Sequence, residues 1–154
     1  TDADEVTYNL HVMMRFDLEL DLLEGRLAVK DLPEAWNARI RADLGIAPPD
    51  DRDGCLQDVH WSHGSFGYFA TYSIGSLYAA QLYAAILSQN ASLFTEIANG
   101  NTSPVWKWLQ QHIYPFGRYY SSDELCTKAT GEPLNSSFFI DYATNKFNTI
   151  YGIK

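Results

Sequence analysis

The residues best suited to chemistry lie in one short stretch of the chain. Asp58 and His60 are two residues apart in a segment rich in turn formers, so in a loop the two side chains can reach one another. A carboxylate beside an imidazole fixes the tautomer of the ring and raises its basicity. The pair therefore predicts a proton donor or hydrogen-bond donor in a site.

Two tyrosines extend this candidate site. Tyr68 and Tyr72 are four residues apart, which places them on one face of a helix, where both hydroxyls could point at one oxyanion or carboxylate. The alternative is that these aromatic side chains are core and that His60 is a buried imidazole with its hydrogen bonds satisfied. Composition alone favours that alternative.

Other chemistry in this region has weaker support. His60 and His63 could both bind a metal, but no third ligand lies at an obvious spacing. Cys55 and His60 could form a nucleophile pair, which is an equally weak hypothesis. The chain contains no HExxH, Cys-x-x-Cys, P-loop or GxSxG motif. For each of these residues an ordinary loop or interior position is the better interpretation.

Composition excludes several classes of protein. The 154 residues have a formal charge of −8, 46% apolar residues and 14% aromatic residues, so the chain is long enough for one folded domain and is not disordered. No apolar run is long enough to span a bilayer. An acidic chain is a poor partner for nucleic acid or anionic lipid. Two cysteines are too few for a disulfide framework, so we expect a soluble, cytoplasmic protein without a membrane or nucleic-acid partner.

The acidic charge is confined to the first part of the chain. Residues 1–58 carry 14 acidic and 6 basic side chains, whereas residues 59–154 carry 5 of each. Most aromatic residues lie in this second, neutral part. The split indicates a solvated acidic portion, followed by a portion used for burial or for a ligand.

Helix signals predict an all-α fold with no clear strand. Thr1 or Asp2 is expected to cap the first helix, which ends near Gly25, and Asp31 with Glu34 forms a predicted capping box for the second. Residues 46–66 are expected to be irregular. The remaining predicted helices cover residues 68–89, 91–99, 104–113, 122–129 and 136–151.

One motif carries a resemblance to a known family. Residues 54–61 match GxxQDxHW, and the stretches ADEVTYNLH, DLPEAWN and FGYFATY flank it. Together they resemble the carboxypeptidase Taq family, whose members are HExxH metallocarboxypeptidases that trim C-terminal residues from peptides. The resemblance covers essentially the whole chain, including the ending FFIDYATNKFNTIYGIK. It implies a helical bundle that forms the C-terminal part of a larger, mostly helical metallopeptidase.

The chain departs from the family pattern in three places. Ala70 stands where the family pattern has proline. The HExxH ligands and the downstream glutamate are absent. The family motif IRxxAD survives only as residues 1–4, its arginine being expected just before Thr1. The resemblance therefore implies that residues 1–154 are a C-terminal segment of the catalytic domain, that the metal ligands lie upstream, and that this segment alone is inactive.

The resemblance also implies a role for each candidate residue. In the complete enzyme, zinc or cobalt would polarise the scissile carbonyl and activate a water. This segment would contribute no metal ligand and would form the opposite wall of the cleft. The expected catalytic residues are His60, which hydrogen-bonds the substrate or oxyanion, and Tyr72, which stabilises the oxyanion. The expected substrate-binding residues are Tyr68, Gln57, Asp58 and Asp4, the last by orienting the missing arginine.

Partners and an alternative follow from the same resemblance. The expected partners are peptide substrates, the upstream portion of the same protein and a second copy of the protein in a homodimer. A rival hypothesis is a non-catalytic helical module for binding or assembly that is derived from this fold.

Overall fold

The computed structural model describes residues 3–153, and it is all-α over that range. No strand occurs among these residues, which confirms the predicted fold class. Short 3-10 helices lie at Val29–Asp31, Cys55–Gln57 and Tyr114–Phe116. The α-helices of the described residues are α1 (Tyr8–Leu23), α2 (Leu32–Leu44), α3 (Val59–Ser62), α4 (Ala70–Gln89), α5 (Leu93–Ala98), α6 (Ser103–His112), α7 (Ser122–Thr130) and α8 (Ser137–Tyr151).

The chain divides into two compact units, the first ending at Ile74 and the second beginning at Gly75. In the first unit α1 packs on α2. Apolar side chains from both helices and from the segment after α2 form its core, and Trp61 packs against them. The buried members of this core are Met14, Leu18, Trp36, Ile40 and Cys55.

The second unit has its own core and a buried amide network. Ile86, Leu93, Trp108 and Ala129 are buried together. Gln81 on α4 is 0% exposed.

The Gln81 amide makes hydrogen bonds in both directions. Its Nε2 donates to Thr130 Oγ1 and to the carbonyls of Glu132 and Pro133, and its Oε1 accepts the Asn135 backbone N–H. A buried amide stabilises only when it is satisfied in this way, so Gln81 joins α4 to the segment between α7 and α8.

Several helix ends agree with the sequence signals. Ser121 and Glu124 form a complete capping box at the start of α7. Asn135 Oδ1 accepts the backbone N–H of Ser137 at the start of α8. Gly45 ends α2 with a φ of 71°, a left-handed conformation that glycine adopts without steric cost.

Two predicted helix starts are wrong. α1 begins at Tyr8 because Asp4 Oδ1 accepts the backbone N–H groups of Val6 and Thr7, which forms a turn before the helix; Thr1 and Asp2 lie outside the described residues. The capping box at Asp31 does not form. Asp31 is the last residue of a 3-10 helix and already has helical backbone angles, so its side chain is not placed to cap α2.

The region expected to be irregular is partly helical. Residues 46–66 contain both the 3-10 helix Cys55–Gln57 and α3. Among the described residues no helix is both long and apolar enough to cross a lipid bilayer.

The Gln81 network predicts a large effect of a single truncation. Gln81→Ala removes the hydrogen-bond partner of the Asn135 backbone N–H and one donor to each of two carbonyls, and it removes buried volume. We expect it to lower the free energy of unfolding by about 2–4 kcal/mol, measured by urea titration. Gln110→Ala, at an exposed position on α6, is the matched control and should change stability by less than about 0.5 kcal/mol. Equal losses in both variants would contradict a role for the network.

Candidate functional site

His60 and Tyr72 form a direct polar contact. His60 lies on the short helix α3 and Tyr72 in the first turn of α4. His60 Nε2 is 3.0 Å from the Tyr72 hydroxyl oxygen, within hydrogen-bonding distance. The His60 ring also contacts the buried ring of Phe69, at 4.7 Å between centroids. The His60 imidazole and the Tyr72 phenol, each able to donate or accept a hydrogen bond, are therefore held next to one another.

Tyr68 lies beside this pair and is open to solvent. Its ring stacks on His60 with an interplanar angle of 24°, and it meets Tyr72 edge to face at 5.3 Å between centroids. Tyr68 is 49% exposed. The structure thus brings together the three aromatic and imidazole side chains that the sequence nominated, and Tyr68 is the most exposed of the three.

Asp58 makes no hydrogen bond to His60, so the predicted carboxylate–imidazole pair is wrong. Both oxygens of its carboxylate instead share the single Nε–H of Arg15, at 2.8 and 2.9 Å from that nitrogen. Asp58 immediately precedes α3, and its carboxylate is directed at α1 and not at the His60 ring. Arg15 and Asp58 side chains are only 16% and 7% exposed, so this ion pair is largely buried.

Arg15 is a residue of the site that sequence reasoning missed. Besides Asp58, its guanidinium donates to the His11 carbonyl oxygen at 2.8 Å and lies 4.7 Å from the centre of the Trp36 ring. The available signal was weak: a basic residue in α1 directly after buried Met14. Nothing local in the sequence links it to Asp58, which is 43 residues away.

Burial and the charge of Arg15 shift the pKa of Asp58 in opposite directions and the pKa of His11 in the same direction. Burial raises the pKa of Asp58 above its ordinary value, and the neighbouring Arg15 guanidinium counteracts that shift. Burial lowers the pKa of His11, and the positive charge of Arg15 lowers it further. His11 therefore resists protonation where it lies, as expected for a structural histidine next to an arginine.

The second ring nitrogen of His60 lacks a partner in the described part of the chain. His60 Nδ1 is buried and makes no hydrogen bond. The contact with Tyr72 consequently uses Nε2 alone. In this hydrogen bond either His60 Nε2 or the Tyr72 hydroxyl can be the donor. This leaves the imidazole free to change tautomer without breaking a bond to a carboxylate.

Glu19 is the second residue that the sequence did not reveal. This carboxylate is 2% exposed, and it accepts hydrogen bonds from Trp61 Nε1, at 2.8 Å, and from the backbone N–H of Gly67. In the sequence it falls in an alternating stretch of acidic and apolar residues, which suggests a solvated position. Helical geometry instead places it one turn after Arg15, toward the site.

The glycine that begins the GxxQDxHW motif lies in a sterically tight position. Gly54 is buried, and a Cβ there would lie 3.1 Å from Pro48 Cγ and 3.2 Å from the Asp50 carbonyl oxygen. A larger residue at this position would therefore have to push its neighbours apart by a few tenths of an ångström. Gln57 supports the same segment, since its side-chain amide donates to the Arg52 carbonyl oxygen.

The remaining candidates have local roles. Asp4 Oδ1 accepts hydrogen bonds at the start of α1, as described above, and these hydrogen bonds lower its pKa. His63 Nδ1 lies 3.0 Å from Ser65 Oγ. Cys55 is buried, and that burial raises the pKa of its thiol, which disfavours the thiolate that a nucleophile pair would need.

The side chains of residues 3–153 form no metal centre by themselves. No three His, Cys, Asp or Glu residues in this range come together as a ligand set. The donors near His60 are tyrosines and one further histidine, which do not fit a closed or catalytic zinc site.

Sequence comparison identifies the family to which these residues belong. The profile of the carboxypeptidase Taq (M32) metallopeptidases matches residues 1–147. The chain belongs to this family. The resemblance carried by residues 54–61 and their flanks is thereby confirmed.

Relatives and solved structures support the assignment to the M32 family. The chain is 42% identical to thermostable carboxypeptidase 1 of Thermus thermophilus over 98% of its own length, and 38% identical to carboxypeptidase 1 of Bacillus subtilis over 97%. It is 43% identical to the M32 carboxypeptidase of Deinococcus radiodurans, whose crystal structure it matches with a TM-score of 0.93 over 99% of the chain. The match covers 31% of that structure.

The chain spans about 30% of the length of each curated relative that it matches. These relatives are carboxypeptidases, and membership in a metallopeptidase family implies a divalent metal ion in a full-length M32 enzyme.

The buried ion pair predicts a non-additive pattern of stability. Arg15→Met leaves the Asp58 charge buried without its partner, and we expect a loss of about 3 kcal/mol in the free energy of unfolding. Adding Asp58→Asn removes that charge and should recover about half of the loss. Urea titration measures both.

The exposed Arg41→Met on α2 serves as the matched control and should be nearly neutral. Additive losses in the double variant would show that Arg15 and Asp58 act independently.

Proposed function

We propose that this chain is the C-terminal portion of a metal-dependent carboxypeptidase that hydrolyses the last peptide bond of peptide substrates. In this proposal the chain supplies substrate-binding and oxyanion-stabilising residues, and the metal ligands and general base come from the upstream portion of the same protein. Family membership supports the reaction class, and the 30% share of the relatives' length supports the division of labour. The metal would be zinc or cobalt.

The observation that carries the proposal is the contact between His60 and Tyr72. A tetrahedral intermediate of peptide hydrolysis carries a new negative charge on one oxygen, and preorganised donors aimed at that oxygen lower the barrier. The Tyr72 hydroxyl is held by His60 Nε2 at 3.0 Å. With the proton on Nε2, His60 donates to the Tyr72 oxygen, and in this proposal the phenolic O–H of Tyr72 donates to the oxyanion when substrate binds.

The neighbouring residues suit a substrate-binding wall. The exposed ring of Tyr68 offers an apolar and hydroxyl-bearing surface beside the pair. Gln57 and Asp58 hold the segment that carries His60, through the Arg52 carbonyl and Arg15. Asp4 would orient an arginine that precedes Thr1, with the turn at Asp4 fixing its carboxylate.

Location and assembly belong to the same proposal. A cytoplasmic homodimer that acts on peptides agrees with the acidic composition and with the family, and it is a prediction from those two sources.

The division of labour is tested by comparing two forms of the protein. The 154-residue chain should release no amino acid from a peptide and should bind no stoichiometric zinc, whereas the protein extended by its upstream coding sequence should do both. Amino-acid release is followed by chromatography and metal content by atomic emission. Peptide hydrolysis by the 154-residue chain would overturn the proposal, and an extended protein that binds peptide without hydrolysis would favour the non-catalytic module.

The oxyanion role predicts a specific kinetic pattern in the extended protein. Tyr72→Phe removes one hydroxyl donor and should lower kcat by about 100- to 1000-fold with little change in KM. His60→Ala should also lower kcat while metal content stays unchanged. The control is Tyr119→Phe, which removes a hydroxyl at an 82% exposed position; it should leave kcat within about twofold of the wild-type value. An unchanged kcat in Tyr72→Phe would exclude the assigned role.

A further inference from the structure

We propose that Glu19 is a positioning residue for His60, acting through the segment that the Glu19 carboxylate holds. This inference rests on the proposed function, because it assigns Glu19 to the same reaction. Glu19 makes no hydrogen bond to His60. It contacts the two ends of the segment that follows His60, at Trp61 and at Gly67.

The Glu19 carboxylate is buried and satisfied only by neutral donors. It is 2% exposed, and in the described part of the chain it forms no ion pair. Burying a carboxylate without a cation is costly unless strong hydrogen bonds replace water. Here the indole N–H of Trp61 and the backbone N–H of Gly67 replace it. The buried Glu19 carboxylate therefore fixes the indole of Trp61 and the backbone of Gly67 relative to each other.

Glu19 and Arg15 together hold the segment on both sides of His60. Arg15 and Glu19 are four residues apart on α1 and so lie on one face of it. Arg15 binds Asp58, two residues before His60, and Glu19 binds Trp61, the residue directly after it. His60 is thus held between two side chains of a single helix, with its Nε2 3.0 Å from the Tyr72 hydroxyl oxygen.

Apolar packing alone does not fix this geometry. Trp61 meets the buried ring of Trp36 edge to face at 6.2 Å and the ring of Phe69 at 5.8 Å. Such contacts tolerate rotation and sliding of the indole, whereas a hydrogen bond to a buried carboxylate is directional. Glu19 accordingly sets the orientation of Trp61 and, through the backbone, that of the adjacent His60.

The proposal is tested by Glu19→Gln in the extended protein. The amide keeps the shape of the side chain, but its NH₂ group opposes one of the two donors. We expect kcat to fall by about 10- to 100-fold with KM nearly unchanged, as for a misplaced catalytic group. The matched control is Glu34→Gln at an exposed position on α2, which should leave kcat unchanged.

A double-mutant cycle with His60→Ala separates positioning from a general structural role. If Glu19 acts through His60, Glu19→Gln should change kcat by less than about twofold in the His60→Ala background. An equal loss of kcat in both backgrounds, or a wild-type kcat in the folded Glu19→Gln protein, would overturn the proposal.

A second measurement does not depend on peptidase activity. Carbethoxylation of His60 by diethyl pyrocarbonate, followed by peptide mass spectrometry, reports how well the segment is held. We expect Glu19→Gln to raise the rate at His60 by about threefold or more, with His112 as the internal reference and Glu34→Gln as the control. Unchanged modification of His60 would overturn the proposal. If the wild-type protein hydrolyses no peptide, the proposed function fails, while this rate still decides whether Glu19 holds His60.

Trp61→Phe provides an independent variant if Glu19→Gln does not fold. It removes the indole N–H and retains the aromatic ring, so it breaks the same hydrogen bond from the other side. The same rise in His60 modification and the same loss of kcat are expected. Wild-type values for both in Trp61→Phe would overturn the role of this hydrogen bond.

Discussion

The candidate site depends on the hydrogen bonds by which α1 holds the segment that carries His60. α1 supplies a guanidinium to Asp58 and a carboxylate to Trp61 and Gly67. The side chains of Arg15 and Glu19 are both largely shielded from water. This shielding strengthens their hydrogen bonds and raises the free-energy cost of removing either partner. Trp36 on α2 packs against both Arg15 and Trp61. It thereby shields from water the face of α1 that carries Arg15.

This arrangement explains why the GxxQDxHW motif contains the residues that it does. Gly54 passes close to Pro48 and Asp50, Gln57 reaches back to the Arg52 carbonyl, and Asp58 pairs with Arg15. Trp61 packs against the core and donates to Glu19. The His60 side chain makes its hydrogen bond with a later residue, the tyrosine in the first turn of α4. Most residues of the motif thus serve to position the His60 imidazole.

The chemistry and the placement of the site have different origins in the chain. His60, Tyr68 and Tyr72 were found from residue type and spacing because a loop histidine and two tyrosines one helical turn apart form a local pattern. The partner of Asp58 was predicted wrongly, because the nearest titratable group in sequence is His60. The Arg15 guanidinium offers that carboxylate a permanent positive charge and an Nε–H that both carboxylate oxygens share.

Sequence by itself determined the helical fold class, most helix positions, the family and the residues of the aromatic cluster. Each of these follows from patterns that extend over a few residues: apolar periodicity, capping residues and a contiguous motif. The tertiary structure alone decided that Arg15 and Glu19 belong to the site. Their partners are 43 and 42 residues away along the chain, and only the packing of α1 against the core brings them within hydrogen-bonding distance.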